Sequence, residues 1–406
     1  MRIKPFIAVR PPPAHAEAVA SPPYDVVDTD EARALIQAHP WSFLRIVRSE
    51  AELAPDHDPY SAAVYERAAA NYALFKREGY LERADRPAYY LYRLQHNDHQ
   101  QTGLVAVSHI ADYDEGRIKR HENTRQATED DRTRHVEALN ANTGPVFLTY
   151  RDQPAIDAVI ARLQQAPPRY HFQTADGILH EVWEINDEKT ITNLFAEVPM
   201  AYVADGHHRS ASAARVARQR RAACENATGD EEFNWFLSVF FPAGQLRVLP
   251  YNRCVSDLNG LAPNELLKKM DHIFTRDAQG VPTPDSPGKV SVYLDGKWHS
   301  YAWEIPPAAD PVAQLDVHVL QSRLLGPVLG IDDPRNNARI SFVGGIRGTA
   351  ELERRVDSGQ AAIAFSMHPV TVDQLMAVSD AGLIMPPKST WFEPKLRSGL
   401  LVHELD

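Results

Sequence analysis

Residues 199–221, PMAYVADGHHRSASAARVARQRR, hold a dense set of groups able to do chemistry. A short apolar run from Met200 to Val203 stops at Asp205-Gly206. A run with Ala211, Ala213, Ala214 and Ala217 starts directly behind it, which reads as strand, tight turn and helix start. Gly206 can take backbone angles closed to other residues, and the first-turn N–H groups after it lack intrahelical partners. His207, His208 and Arg209 fall in that turn, where cations oppose the helix dipole unless an anion lies between them. The chemistry that suits this arrangement is phosphate binding, with Gly206 and Arg209 as binding residues and Asp205, His207 and His208 as catalytic candidates. The same residues also fit a plain helix start, in which Asp205 is the N-cap and Arg209 pairs with a carboxylate.

A second set comes from residues 117–143, RIKRHENTRQATEDDRTRHVEALNANT, which hold almost no apolar side chains before Val136 and Leu139. Such a stretch is either a solvated surface or the lining of a polar cavity. In a helix over 127–140, Arg132 and His135 share a face. His121, Glu122 and His135 are candidates for acid/base work, Arg125 and Arg132 for clamping an oxyanion, and Asn140, Asn142 and Thr143 for binding. The alternative is an exposed, salt-bridged helix. In Ser21-Pro-Pro-Tyr-Asp25 a rigid Pro-Pro pair holds Tyr24 and Asp25 at low entropic cost, which suits a site and suits ordinary loop packing equally. Near the C-terminal end, MPPKSTWFEPKLR gathers Lys388, Ser389, Thr390, Lys395 and Arg397 in a Pro-bounded loop. The rings of Trp391 and Phe392 predict that this loop is docked, with its lysines against something negative.

The elements that must position these groups are legible from periodicity and turn residues. Helices are expected at 30–38, 60–78, 153–164, 187–197, 263–270, 349–357 and 371–380. Strands or hairpins are expected at 88–95 with 101–110, at 146–150, across Asp176-Gly177, at 236–241, at 246–249, across Asp295-Gly296 and at 361–366. Hairpins and helices alternate without a regular βα rhythm, so the expected class is mixed α/β, in two interlocked lobes with mixed sheets. Residues 277–288, with three Pro and two Gly, read as the linker between an N-terminal lobe, 1–276, and a C-terminal lobe, 289–406. Gly344, Gly345 and Gly348 in FVGGIRG offer a second glycine turn ahead of a helix, a weak anion signal by itself.

Composition bounds the function. The chain has 406 residues with 44% hydrophobic, enough for a large core. A net charge of −11 argues against a nucleic-acid-coating surface and favours a small anionic ligand. Two cysteines, Cys224 and Cys254, exclude a disulfide scaffold or a Cys-rich zinc site and fit a reducing cytosol. The absence of a signal peptide or an apolar run near 18 residues predicts a cytoplasmic protein without a membrane partner. An oligomer is compatible with all of this.

The Asp-Gly-His-His-Arg cluster resembles the phosphate-binding signature of the ParB and sulfiredoxin superfamily, whose free-serine kinases carry a similar Asp-Gly-x-x-Arg turn. Over the whole chain, KPFIAVRP, SPPYDVV, TGLVAV, KRHENTR, DDRTRHVEALNANTGPVFLTY, ADGHHRSASAARVA, FVGGIRG and MPPKSTWFEPKLRSGL resemble one bacterial and archaeal family, domain of unknown function 1015. Members of that family are often encoded beside serine-biosynthesis enzymes, so the resemblance implies work on phosphoserine or serine. The expected function is phosphoryl transfer on a small amino-acid-like metabolite, as a phosphatase or an ATP- or ADP-dependent kinase. The chain has no Walker-type or kinase loop, so a nucleotide would need another mode of binding. Mg²⁺ is a candidate cofactor, with Asp25, Glu122 and Asp205 as its oxygen ligands. The other readings are a ParB-like nucleic-acid-binding regulator or nuclease, a catalytically silent phosphate-binding protein, and a zinc hydrolase using His121, His135, His207 and His208. The last lacks any His-Glu-x-x-His spacing.

Overall fold

The apolar runs Tyr89–His96 and His99–His109 pair as the expected antiparallel hairpin, with Asn97 in the left-handed region at its tip. Asn tolerates that conformation and the two-residue link demands it. In the computed structural model, which describes residues 1–305 and 310–406, this hairpin is the middle of a nine-stranded sheet. The order across the sheet is Ile118–Lys119, Ala201–Asp205, Val146–Tyr150, Trp235–Pro242, His99–His109, Tyr89–His96, Leu179–Ile185 and Tyr170–Gln173, with Ile3–Lys4 added against His99–His109. Trp235–Pro242 runs parallel to Val146–Tyr150 and antiparallel to His99–His109, so the sheet is mixed and the fold is mixed α/β. Every residue of Trp235–Pro242 is buried, which is why that strand reads as an apolar run interrupted only by Ser238. Gly103 in the facing strand has no side chain because a Cβ there would lie 2.7 Å from Val239.

The chain divides into two compact units. The first comprises Met1–Lys119, Asn123–Leu246 and Pro394–Asp406, and the second Arg120–Glu122 and Arg247–Glu393. The division expected at the loop 277–288 is not where the units part: that loop lies inside the second unit, and the tail from Pro394 belongs to the first. Prolines there mark a surface connection within one sheet.

In the first unit the core over the sheet is built from Leu91, Leu104, Leu148, Val203 and Phe236. Each large apolar side chain so buried contributes about 1.5–3 kcal/mol. A small second sheet of the same unit joins Glu82–Arg83, Ala8–Arg10, Val402–Glu404 and Ala141–Asn142 in that order. Helices Gln126–Leu139 and His207–Ala223 pack on one another, tied by Arg215 to Asp130 and by Arg220 to Asn140. The polar segment therefore resolves into both of its expected fates. Its first two helical residues, Gln126 and Ala127, are exposed and residues 128–132 half-buried, while Thr133, His135, Val136 and Leu139 are buried.

The second unit has a six-stranded sheet ordered Thr275–Arg276, Lys297–Ala302, Lys289–Leu294, Ile363–Met367, Tyr251–Val255 and Ile340–Gly344. Besides the two-residue Thr275–Arg276, two of its strands, Tyr251–Val255 and Ile340–Gly344, have no counterpart in the sequence expectations. Both are short, and each contains polar or glycine residues that break the alternation. The docked tail is real: Trp391–Phe392 pairs with Val248–Leu249, and Phe392 is buried. No helix among the described residues is long and apolar enough to cross a membrane.

Candidate functional site

Strand Ala201–Asp205 ends at Gly206, which takes φ 98° and caps helix His207–Ala223 without a side-chain cap. Asp205 is thus not the N-cap. Its carboxylate is turned to Lys395, with Oδ2 at 3.1 Å from the ammonium nitrogen and 3.6 Å from the Arg209 guanidinium. Burial alone would raise its pKa, yet Lys395 and Arg209 outweigh it and hold the carboxyl well below the usual range. The tail lysine meets the negative group that the sequence led one to expect. Arg209 folds back over the turn, donating to the Pro145 carbonyl, while its buried Nε finds no acceptor. A Cβ on Gly206 would sit 3.0 Å from that Nε, so glycine is required here by φ and by space alike.

The Arg209 side chain closes one side of a small cavity of about 40 Å³ within the first unit, room for roughly three waters. Arg132 and Tyr24 line it, as do the polar residues Asn142, Thr143 and Ser398. Arg132 is largely buried, ion-paired to Asp131 at 2.7 Å and stacked on the Tyr24 ring at 4.3 Å from its centre. Two guanidiniums and, among the described residues, no carboxylate border this space. Asp131 and Asp205 stand behind the arginines and orient them. The Ser21–Tyr24 segment is positioned by a two-way backbone bridge between Ser21 and Ser398, at 3.1 and 2.9 Å.

Several candidate residues have other employment. His135 also borders the cavity, but its Nε2 donates to the Ile46 carbonyl at 2.9 Å. Burial, aided by the Arg132 charge, lowers its pKa to about 4. It is neutral at pH 7, which suits an orienting group better than the acid/base role expected. Asn140 is the left-handed C-cap of its helix at φ 52°, and its side-chain oxygen accepts from Arg220 at 2.6 Å, so it is structural. Arg125 is exposed and joins the turn through its backbone, donating to His208 Nε2 at 3.1 Å. His207 is buried and His208 partly so. Asp25 is exposed at the rim of a neighbouring cleft.

The remaining candidates belong to the second unit. There the His121 carbonyl accepts from Met385 N–H at 2.8 Å, and its Nε2 lies 3.4 Å from the Thr390 hydroxyl. Lys388 adopts a left-handed φ of 54°, Ser389 donates to the Pro386 carbonyl at 2.6 Å, and Glu122 follows His121. Sequence reasoning missed Ser398, Ser212 and Gly144 as cavity residues. Only the pairing of Ser398 with Ser21, across most of the chain, brings the first of these into place, and no local signal encodes that.

The chain belongs to the family described as protein of unknown function, DUF1015, whose profile matches residues 3–318. A search of curated proteins found no match. Among solved structures, SbnI with C-terminal truncation from Staphylococcus aureus is 12% identical with a TM-score of 0.41, over 74% of this chain and 87% of that one. A free serine kinase in complex with AMP is 11% identical with a TM-score of 0.37, over 73% of this chain and 91% of its own. A conserved hypothetical protein from Pyrococcus furiosus is 12% identical with a TM-score of 0.38, over 73% and 94%. At such scores the likeness bears on neither site nor activity.

Proposed function

We propose that the first unit carries the phosphate pocket of a phosphoryl-transfer enzyme acting on a small amino-acid-like metabolite, with phosphoserine or serine as the best substrate. The observation that carries this reading is the cavity bordered by Arg132 and Arg209 with no carboxylate among its described lining residues, in a chain of net charge −11. Phosphoryl transfer asks mainly for positioning and charge neutralisation, and two oriented guanidiniums supply both. In the hydrolytic direction a water oxygen bonds phosphorus as the ester P–O bond breaks, and the serine oxygen takes up a proton. In the kinase direction the serine hydroxyl attacks, loses its proton, and the nucleoside phosphate leaves. His208 is the proton-handling candidate: its Nε2 accepts from Arg125 N–H, so the neutral ring carries its proton on Nδ1. Asp205 does not suit Mg²⁺, because its Oδ2 already faces the Lys395 ammonium and the Arg209 guanidinium.

The test is to incubate the pure protein with phosphoserine, and separately with serine plus ATP or ADP, each with and without Mg²⁺, following phosphate and serine. Arg132→Ala and Arg209→Ala each remove a charge-assisted contact of about 1.5–3 kcal/mol, so phosphate should bind roughly tenfold to a hundredfold more weakly. His208→Ala should lower turnover by about 10²–10⁴ with binding retained. Unchanged phosphate affinity in both arginine variants would sink the reading.

A further inference from the structure

The cavity of about 40 Å³ has a larger neighbour in the same unit, a cleft of about 360 Å³. Tyr24, Val47, Arg132 and His135 border both spaces, so the stacked Tyr24–Arg132 pair stands as the wall between them. The two sides of that wall differ in charge. Inside are Arg132 and Arg209 without a carboxylate. Outside, the cleft is bordered by the carboxylates of Asp25, Glu50 and Asp131 and by the guanidiniums of Arg48 and Arg132. Arg48 neutralises Glu50 at 2.9 Å, and Arg132 neutralises Asp131 at 2.7 Å. Asp25 is left over: among the described residues no cation pairs with it, and it is exposed to whatever occupies the cleft.

A binding surface that is positive at its inner end and negative at its outer end complements a zwitterion. The segment bearing Asp25 is also fixed in place, by the Ser21 to Ser398 bridge before it and by the Asp28–Glu31 capping box after it. Pro22 and Pro23 stiffen the stretch between. Resting on the phosphate-pocket reading above, we infer that Asp25 is a specificity-determining residue that recognises a primary ammonium group. The ligand is then a phosphomonoester that also carries an amine, with its phosphate on Arg132 and Arg209 and its ammonium in the outer cleft. Tyr24, which forms the wall, must turn aside for one molecule to span both spaces.

Titration calorimetry on the full chain tests this with three probes: inorganic phosphate, phosphoserine, and 3-phosphoglycerate, which replaces the ammonium of phosphoserine with a hydroxyl. The wild type should prefer phosphoserine to 3-phosphoglycerate by about tenfold, the size of one charge-assisted contact. Asp25→Asn should abolish that preference and leave inorganic phosphate affinity and the melting temperature unchanged. Glu50→Gln should keep the preference, since Arg48 already neutralises that carboxylate. A wild type without the preference, or an Asp25→Asn variant that retains it, overturns the inference while phosphate binding, and with it the pocket, still stands. If inorganic phosphate and phosphoserine both fail to bind, the pocket reading falls and the ammonium site falls with it.

Discussion

The turn at Gly206 and the turn at Gly344-Gly345 both follow a strand and both lead toward a helix, and in sequence both look like places for an anion. In space their glycines answer to different demands. Gly206 has φ 98°, and its missing side chain makes room for the Arg209 guanidinium, a charge drawn in over the turn. At Gly344 a Cβ would lie 2.7 Å from the Trp391 ring, and at Gly345 2.7 Å from the Pro250 carbonyl oxygen, which accepts the Gly345 N–H at 2.8 Å. Those two glycines serve tight packing of backbone and ring inside the second unit. A glycine pair before a helix is thus a statement about close approach, and only the approaching group tells whether the reason is chemical.

The contrast extends to pH, and there the effect should be largest. Burial lowers His135 to about 4 and His180 to about 3, the latter helped by the Arg397 charge. Their unfolded values lie near 6.5, so the unfolded first unit binds more protons and its stability falls as pH drops below 6.5. In the second unit burial raises Asp316 to about 7, outweighing the opposing hydrogen bond from Gly288 N–H. That contribution is full below the unfolded carboxylate value and is lost as pH rises through 7. Between pH 7 and 5 each histidine should cost the first unit about 2 kcal/mol, while Asp316 returns about 2 kcal/mol to the second. Hydrogen exchange resolved by unit should show opposite trends. Parallel trends would mean that these buried groups do not set the pH response.

Glycine replacement comes next in size. Gly206→Ala places an L-residue in the left-handed region at about 1–2 kcal/mol and presses on Arg209, so stability and phosphate affinity should fall together. Gly344→Ala should lower the melting temperature by a comparable amount through overpacking, about 1–3 kcal/mol, with phosphate affinity intact. If Gly344→Ala weakens phosphate binding as much as Gly206→Ala, the two turns are not the different devices described. The smallest effect belongs to Ile346→Ala, an exposed side chain in the second turn. It should change stability by less than about 0.5 kcal/mol and phosphate affinity not at all.

Much of this was legible in the chain itself. Helices such as Thr29–Ala38, Ala62–Arg77 and Pro154–Leu163 fall within a residue or two of their periodicity and cap signals. The strand, turn and helix around Gly206 were legible for the same reason, as local patterns. What stayed hidden depends on partners distant in sequence. Asp205 read as a catalytic carboxylate or an N-cap until Lys395, 190 residues on, claimed its carboxylate. His135 looked like a proton carrier until Ile46, 89 residues back, took its Nε2 proton in a hydrogen bond. Asn140 has the residue type of a ligand contact and the backbone angles of a helix stop. Residue type alone does not separate those roles.

The tail has a consequence for how the protein is made. Val402–Glu404 is the strand between Ala8–Arg10 and Ala141–Asn142, and Ser398 pairs with Ser21. During synthesis the first 246 residues therefore emerge with that small sheet open and one wall of the cavity absent. The strands of the second unit's sheet, all within residues 251–367, are made after those residues and before that tail. Closing the first unit is a long-range event of high contact order and belongs among the slow steps of folding. The nascent chain carries an unpaired strand edge at Ala8–Arg10 until Val402–Glu404 is made, and a chaperone has that interval in which to act.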